Sequence, residues 1–360
     1  MRLISLAPLA TSVTLSSGLG FIGAGSDVSG LDAELTCARK LIRDGGFDLS
    51  TCKPDTNNGK EEAPYLPIGV GFLLWSPSLL SSALPILLKH RPLAIWLFAP
   101  PSEGTTTTDP TLTISHWITT LRSLSRTHAY GPHIWLQIGS VASALSSCTS
   151  PLHAPPDVLV VQGADAGGHG LLKGAGLISL LPEVIDAVTS AHARGEARSI
   201  PHFIAAGGIA DGRGVAAALA LGAEGVCMGT RYLGAEEAQL AEGYRREVLR
   251  AGDGGQSTVR SKVYDTLRGT TEWPAEYAGR GVVNRSYVDA MGGVMSQEEN
   301  KRLYAEALEK GNEGWGLEGR LTTYAGTAVG LVTKVQSAKE ITEEVREQCR
   351  IALKAATSRL

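Results

Sequence analysis

The sequence predicts an α/β fold, because short apolar runs of strand length alternate along its 360 residues with longer segments of helical length. Continuous apolar strands that alternate with helices are typical of a parallel sheet covered by helices. Eight such units predict a closed (β/α)8 TIM barrel, with an open doubly wound sheet as the alternative. The predicted strands are Leu3–Leu6, Leu19–Ala24, Ile68–Leu74, Leu93–Ala99, His133–Ile138, Val158–Gln162, His202–Ala206 and Gly225–Met228.

The helical segments lie between these strands and after the last of them. The first βα unit is shortened, because only about eight residues separate Ala10 from Gly18 and a full crossover needs a dozen or more. Either its helix is vestigial or the gene model has lost an exon. Two polar stretches, Ser50–Pro67 and Glu103–Pro110, predict surface loops. The predicted helices are Leu31–Arg43, Pro77–Lys89, Leu112–Thr127, Val141–Ser147, Leu177–Arg194, Gly214–Leu221 and Glu236–Arg250.

Three segments follow from this pattern. Residues 1–250 form the predicted barrel. Residues 251–319 are rich in glycine and aromatic residues, contain a predicted helix at Gln297–Lys310, and are expected to form a subdomain that caps one mouth of the barrel. Residues 320–360 are predicted to return to the barrel and to end in a charged helix at Ala338–Ala356.

Charge and composition exclude several classes of partner. The net charge is −3, and no cluster of Lys and Arg offers a surface for nucleic acid or an anionic membrane. No apolar run approaches the roughly 20 residues of a membrane-spanning helix. The five cysteines are scattered, without the spacing of a metal site, which favours a reducing intracellular compartment and predicts no bound metal.

Two glycine-rich segments follow the last two predicted strands. In a (β/α)8 barrel these positions commonly hold a phosphate through backbone N–H groups and the N-terminus of a helix. Tight βα turns are the alternative, since they also favour glycine, but the two segments occur together in the two expected units. The sequence therefore predicts a phosphate site formed by Ala206, Gly207, Gly208, Gly229 and Thr230.

A histidine flanked by glycines follows the sixth strand, in the run from Gln162 to Gly170. A strand-end loop faces the active mouth of a barrel, and an ordinary imidazole pKa suits proton transfer at neutral pH. We expect His169 to act as a base. A structural histidine is the alternative reading, and a metal ligand is disfavoured because no second ligand lies nearby at a suitable spacing.

The runs Gln162–His169 and Ala205–Arg231 resemble the nitronate monooxygenase family, formerly called 2-nitropropane dioxygenases. Three further runs are similar to family motifs: Ala7–Ala10, Gln137–Val141 and Tyr324–Gly330. The chain departs from the family pattern at Leu9, where a methionine is usual, and at Thr327, where a glutamine is usual. The resemblance covers most of the chain.

The resemblance implies an FMN-dependent oxidation of nitronates or nitroalkanes by dioxygen, which yields a carbonyl compound and nitrite. It places His169 beside the reacting carbon and the phosphate on the two glycine-rich segments. It implies that the flavin is bordered by Pro8, Leu9, Ala10, Gly71, Gln137, Gln162, Gly167 and Gly168. The alternatives are an NAD(P)H-dependent flavin enoyl-thioester reductase, and a degenerate FMN-binding scaffold in a biosynthetic pathway. The sequence indicates neither the physiological substrate nor the oligomeric state.

The terminal residues Ser358-Arg359-Leu360 form a conservative variant of the Ser-Lys-Leu peroxisomal address. We expect a fluorescently tagged chain to enter peroxisomes and a chain without these three residues to remain in the cytoplasm. Microscopy of the two proteins in one cell type checks this. Equal distribution of both would mean that the ending arose by chance.

Overall fold

The computed structural model describes residues 4–53, 63–76, 78–100 and 110–359. Ten strands form within them, and most predicted strands are confirmed to within two residues. The strands are β1 (Phe21–Gly25), β2 (Leu66–Leu73), β3 (Pro92–Phe98), β4 (His133–Ile138), β5 (Val158–Gln162), β6 (Gly168–Leu171), β7 (His202–Ala206), β8 (Gly225–Cys227), β9 (Thr258–Ser261) and β10 (Tyr277–Val282).

Seven of these strands form one parallel sheet in the order β1-β2-β3-β4-β5-β7-β8. The sheet curls into a TIM-barrel-like structure whose strand order follows the chain. Its strands are almost entirely buried, which is why they read as continuous apolar runs. The fold class predicted from the sequence is confirmed.

The predicted first strand is wrong over its described residues, 4–6, and Leu3 lies outside them. Helix α1 begins at Ala7, with Pro8 in its first turn, where proline favours a helix start. The Ile4 carbonyl accepts from the Gln239 N–H at 3.0 Å, and the Ser5 carbonyl accepts from the Gly23 N–H at 2.9 Å. These two residues therefore bridge β1 and the segment after β8, where an eighth strand would close the barrel.

Helices cover the sheet. Those predicted between strands are confirmed with small shifts, whereas the helix predicted from Glu236 begins only at Glu242. The helices are α1 (Ala7–Leu15), α2 (Leu31–Asp44), α3 (Leu79–His90), α4 (Ile114–His128), α5 (Val141–Cys148), α6 (Leu177–Ala193), α7 (Gly212–Ala220), α8 (Glu242–Arg250), α9 (Gly254–Ser257), α10 (Val263–Arg268), α11 (Arg285–Gly292), α12 (Gln297–Glu309) and α13 (Ala338–Thr357). Short 3-10 helices lie at Leu49–Cys52, Pro110–Leu112, Thr230–Gly234, Gly311–Gly314 and Thr327–Leu331.

The C-terminal helix α13 packs against α7 and α1. A Cβ on Gly212 would lie 2.2 Å from the backbone nitrogen of Cys349, so only glycine allows this close approach of α7 and α13. The Arg346 guanidinium donates to the Ser16 carbonyl at 2.7 Å and so ties α13 to the end of α1. The predicted return of the chain end to the barrel is therefore seen in the helix packing.

Aromatic side chains fill the interior of the barrel. The ring centroids of Phe21 and Trp96 are 5.1 Å apart, and those of Phe21 and Trp135 are 5.0 Å apart. A Cβ on Gly69 would lie 2.1 Å from the Phe21 ring, so this glycine makes room for the cluster. Because the interior is packed, a ligand of this barrel binds at the mouth formed by the carboxyl ends of the strands.

A second, antiparallel sheet of order β6-β10-β9 was not predicted from the sequence. Its β6 follows the barrel strand β5 directly, whereas β9 and β10 belong to the segment 251–319. The proposed boundaries at residues 250 and 319 stay predictions. Half of the predicted loop Ser50–Pro67 and all of Glu103–Pro110 but its last residue lie outside the described residues, as do Pro77 and Leu360. Within the first loop, residues 50–52 belong to a 3-10 helix, and Leu66 and Pro67 already belong to β2. No helix in the described part of the chain is long and apolar enough to span a membrane.

Candidate active site

His169 lies on β6, where it pairs with Gly279 of β10. Its imidazole Nε2 lies 2.7 Å from Oδ1 of Asp265, which is carried by α10. Both side chains are nearly covered, with exposed fractions of 10% and 7%. An ionised carboxylate only accepts hydrogen bonds, so a neutral imidazole here carries its proton on Nε2. The lone pair is then on Nδ1, which has no bonding partner among the described residues.

The same carboxylate oxygen is held by two hydroxyl groups. Thr270 Oγ1 donates to Asp265 Oδ1 at 3.1 Å, and the Tyr324 hydroxyl donates to it at 3.3 Å. These two hydroxyl groups hold the Asp265 carboxylate in the position from which it accepts from the imidazole. The arrangement has the order of the orienting part of a catalytic triad, with a carboxylate directing one imidazole nitrogen and leaving the other for chemistry.

Aromatic rings surround the imidazole. Trp273 stacks on His169, with ring centroids 3.6 Å apart and planes inclined by 4°. Trp273 also meets Trp75 edge to face at 4.3 Å and lies 5.9 Å from Phe98, so it connects the segment 251–319 with the ends of β2 and β3. Trp273 therefore covers one face of the imidazole.

Burial lowers the pKa of His169, and this effect exceeds the opposing influence of Asp265, which favours the imidazolium. The nearby positive charge of Arg260 also lowers this pKa. His169 is therefore neutral at pH 7, which is the state that a base requires.

Arg260 of β9 holds the loop that precedes His169. Its guanidinium donates to the carbonyl of Gly168 at 3.0 Å and to that of Ala166 at 2.6 Å, and it also reaches Ala164 and Ala278. Burial and the neighbouring Arg280 lower the pKa of Arg260 to about 10. Arg260 remains charged at neutral pH and fixes the path of the chain from β5 to β6.

The two predicted glutamines make internal bonds. Gln162 Nε2 donates to the His169 carbonyl at 3.0 Å and thereby positions β6. Gln137 Oε1 accepts from Trp96 Nε1 at 3.0 Å and keeps its amide N–H₂ for another acceptor. Gly71 pairs within the sheet with Gly23 and Trp96. All three lie on barrel strands, and the two glutamines stand at or beside strand ends that face the mouth.

The structure brings the predicted phosphate residues together around the loop after β5. Gly207 and Gly208 have φ of +99° and +74°, which glycine adopts without strain. A Cβ on Gly207 would meet the Gly163 carbonyl at 2.9 Å, and one on Gly208 would meet Asp165 at 3.1 Å. The loop after β7 therefore lies directly against the loop after β5.

The two glycine loops carry unbonded backbone donors in the part of the chain that the structure describes, and these donors form a cradle. The backbone N–H groups of Gly207, Gly208, Gly229 and Thr230 donate to no acceptor among the described residues. The Thr230 hydroxyl accepts from the Gly326 N–H at 2.9 Å and keeps its own proton to donate. No described atom lies within 4 Å of a Cβ placed on Gly229 or Gly168. This cradle fits a phosphate group.

The expected contribution from the N-terminus of α7 is wrong. The Asp211 carboxylate already accepts from the N–H groups of Arg213 and Gly214, at 2.9 and 3.1 Å. The N–H of Gly212 donates to the Gln348 side chain at 3.1 Å. The first amides of this helix are therefore satisfied within the protein, and only the glycine loops remain for a phosphate.

Four residues that the resemblance places at the flavin lie in other surroundings. Pro8, Leu9 and Ala10 form the first turns of α1 and do not end a strand. Leu9 is buried in a cluster with Ile341 and other residues of α13. A Cβ on Gly167 would lie 2.4 Å from the Gly326 nitrogen, so Gly167 accommodates the C-terminal segment. Gly168, with φ of +68°, faces open space.

A cavity of about 520 Å³ adjoins the loop after β5 and includes Gly208 of the cradle in its lining. Thr327 Oγ1 donates to the Asp165 carboxylate there at 3.0 Å. Asp165 and Asp253 place two carboxylates in the same lining. Its lining residues are Asp165, Gly208, Asp253, Gly254, Thr327, Ala328, Gly330 and Leu331.

Sequence reasoning missed Asp265 and Arg260 as parts of the site. Asp265 lies in a short helix without a motif, and only the pairing of β6 with β10 brings it to His169. Trp273 and Tyr324 likewise carry no local signal that places them beside the histidine. No group of three or more side chains suited to a metal ion occurs in the ranges that the structure describes.

Within the described residues, the structure combines a TIM-barrel-like fold, a buried histidine held by a carboxylate, and glycine loops with unbonded backbone N–H groups at the ends of two barrel strands. The family model for nitronate monooxygenase matches residues 114–348. The chain is 42% identical over 361 residues to a nitronate monooxygenase, npaC, of Metarhizium robertsii, with 100% of this chain and 92% of that one covered. It is 36% identical to a nitronate monooxygenase of Neurospora crassa, with 98% and 88% covered. The chain belongs to the nitronate monooxygenase family, and this membership implies a flavin cofactor.

Solved structures share the fold at low sequence identity. FabK of Thermotoga maritima superposes with a TM-score of 0.68 at 21% identity, with 100% of this chain and 94% of that chain covered. A nitroalkane oxidase of Streptomyces ansochromogenes superposes with a TM-score of 0.67 at 18% identity, with 98% and 94% covered. These likenesses support the TIM-barrel-like fold.

The buried neutral histidine makes stability depend on pH. The folded-state pKa of His169 lies below the ordinary value of 6.5, so the unfolded chain binds the proton first as the pH falls. The neutral imidazole contributes fully to the free energy of unfolding above pH 6.5. This contribution is lost as the pH falls below 6.5, by up to about 1.4 kcal/mol per pH unit. Urea unfolding at pH 7.5 and 5.5 should show a larger loss for the wild type than for His169→Gln. Equal losses in both proteins would contradict this.

Proposed function

We propose that the chain is an FMN-dependent nitronate monooxygenase, which oxidises alkyl nitronates or nitroalkanes with dioxygen to a carbonyl compound and nitrite. The observation that carries this proposal is the neutral His169, held by Asp265 through Nε2, with Nδ1 left unbonded. The named relatives at 42% and 36% identity support the reaction class.

His169 is the base in this proposal. A carbon next to a nitro group is acidic, and an imidazole that is neutral at pH 7 accepts its proton on Nδ1. The resulting imidazolium is stabilised by the ionised Asp265 at Nε2 and by the stacked Trp273 ring. A substrate that arrives as the nitronate anion needs no deprotonation, so the base role of His169 concerns the neutral nitroalkanes.

FMN is proposed to bind at the carboxyl ends of the barrel strands. Its phosphate is assigned to the N–H groups of Gly207, Gly208, Gly229 and Thr230, and Ala206 ends the strand that carries the first of these loops. Gly168, Gln137, Gln162 and Gly71 remain as the residues proposed around the ring and ribityl chain. The flavin, when bound, supplies the electron acceptor for the nitronate. The aromatic side chains around His169 keep water from the reacting carbon.

The alternative enoyl-thioester reductase differs in its need for NAD(P)H. An absorption spectrum of the purified protein under anaerobic conditions separates the possibilities. Flavin bands that change on addition of ethylnitronate but not of NADPH support the monooxygenase. Bleaching by NADPH alone supports the reductase, and a colourless protein that does not take up FMN supports the degenerate scaffold.

Replacement of His169 distinguishes a base from an orienting residue. His169→Ala should lower kcat/KM for nitroethane by about 10²- to 10⁴-fold, because the carbon must be deprotonated, with a much smaller loss for preformed ethylnitronate. Oxygen consumption with each substrate measures this. His153→Gln is the matched control, because His153 is another buried histidine that bonds a backbone carbonyl, that of Ala154, at 2.7 Å. Equal losses with both substrates would refute the base role and leave orientation.

A charge placed in the cradle tests the phosphate site. Gly229 has φ of −101° and open space around its Cβ position, so the fold accepts a side chain there. Gly229→Asp should weaken FMN binding by about tenfold or more, because a carboxylate then faces the phosphate. The isosteric, uncharged Gly229→Asn is the control and should retain more FMN. Fluorescence titration of the apoprotein gives both affinities, and equal weakening would place the phosphate elsewhere.

A further inference from the structure

Asp265 is the only carboxylate among the described residues that bonds His169, and it lies 96 residues further along the chain. It belongs to the segment 251–319, not to the barrel strands. Its side chain is 7% exposed, and its Oδ1 collects three bonds, from the imidazole, the Thr270 hydroxyl and the Tyr324 hydroxyl. A buried carboxylate that gathers donors at one oxygen is fixed in position.

The geometry of this oxygen determines which imidazole nitrogen carries the proton. The tautomer of a neutral imidazole is set by the bond that the other nitrogen makes. Asp265 has no proton to donate when ionised, so Nε2 must donate to it. The ring cannot turn over freely, because Trp273 stacks on it at 3.6 Å. Nδ1 therefore stays unprotonated on the edge of the ring away from α10.

The charged and titratable side chains that face His169 within the described residues are Asp265, Arg260 and Tyr324. Arg260 acts against protonation of the imidazole, and its guanidinium is committed to four backbone carbonyls. Tyr324 donates to Asp265 and lies 5.4 Å from the imidazole, measured between ring centroids. Only Asp265 favours the imidazolium by direct contact.

We propose that Asp265 is the positioning residue of this site: it holds the imidazole of His169 with its proton on Nε2, so that Nδ1 is the atom that meets the substrate. The kinetic part of this proposal rests on the proposed function, whereas the tautomer is a property of the protein alone. The base would then be assembled from two parts of the chain, with the histidine from β6 and its partner from α10.

Asp265→Asn tests the proposal, because the side chain keeps its size and loses its charge. An amide can also donate to Nε2, which permits the opposite tautomer. With nitroethane we expect kcat to fall by up to about 10⁴-fold, in line with other carboxylate–histidine pairs. The acid limb of the pH profile should move to lower pH by about one unit, since the imidazolium loses its partner. Asp265→Glu should restore part of the rate.

Asp289→Asn is the matched control. Asp289 is a buried carboxylate of the same segment, 1% exposed, which pairs with Arg285 and Arg320 away from the histidine. Removal of the Asp289 charge should lower the free energy of unfolding and leave the acid limb of the pH profile unchanged. If Asp265→Asn behaves in the same way, with a normal rate per folded molecule and an unmoved limb, Asp265 is structural and the proposal fails.

A readout without turnover separates this proposal from the proposed function. Nitrogen-15 NMR of histidine-labelled protein reports the protonated nitrogen directly, and the His169 signals are assigned by their loss in His169→Gln. We expect the Nε2–H tautomer in the wild type and a mixed or reversed tautomer in Asp265→Asn. If the tautomer changes as expected but the protein oxidises no nitronate, the proposed function is overturned and the positioning role is retained. An unchanged tautomer would overturn the positioning role even in an active enzyme.

Discussion

The loop between β5 and β6 is the constraint on which the site depends. It leaves the barrel at Gln162, is held by the guanidinium of Arg260 at the carbonyls of Ala164, Ala166 and Gly168, and enters the small antiparallel sheet. One side of this loop faces the glycines after β7, and its end presents His169 to Asp265. A change in its path would displace the phosphate cradle and the base together.

The barrel could be predicted from the sequence because its strands are buried on both faces and therefore read as uninterrupted apolar runs. The first strand could not, since Leu3–Leu6 has the same apolar character but is followed by Pro8, which starts a helix. The small sheet was missed for a related reason. Gly168–Leu171 is short and glycine-rich, and it becomes a strand only by pairing with β10, more than 100 residues away.

The candidate site, too, could be predicted from the sequence only in part. Gly207, Gly208 and His169 could be found because local sequence marks them, as glycines at strand ends and a histidine among glycines. Asp265 has no local mark, because its role comes from a tertiary contact between α10 and β6. The N-terminus of α7 has no free amide for a phosphate, because the Asp211 carboxylate accepts from the N–H groups of Arg213 and Gly214.

The closure of the barrel by α1 and α13 has a consequence for how the protein is made. Residues 4 and 5 bridge the sheet between β1 and the segment after β8, and α1 is held by Arg346 of the last helix. The seam of the barrel thus joins residues 4 and 5 to residues 239 and 23, and Arg346 adds a contact with Ser16, 330 positions away along the chain. Contacts of such long sequence separation form late and slow folding. A chain still on the ribosome therefore keeps an open sheet edge until the segment after β8 has emerged, and an unpaired sheet edge exposes a chain to aggregation.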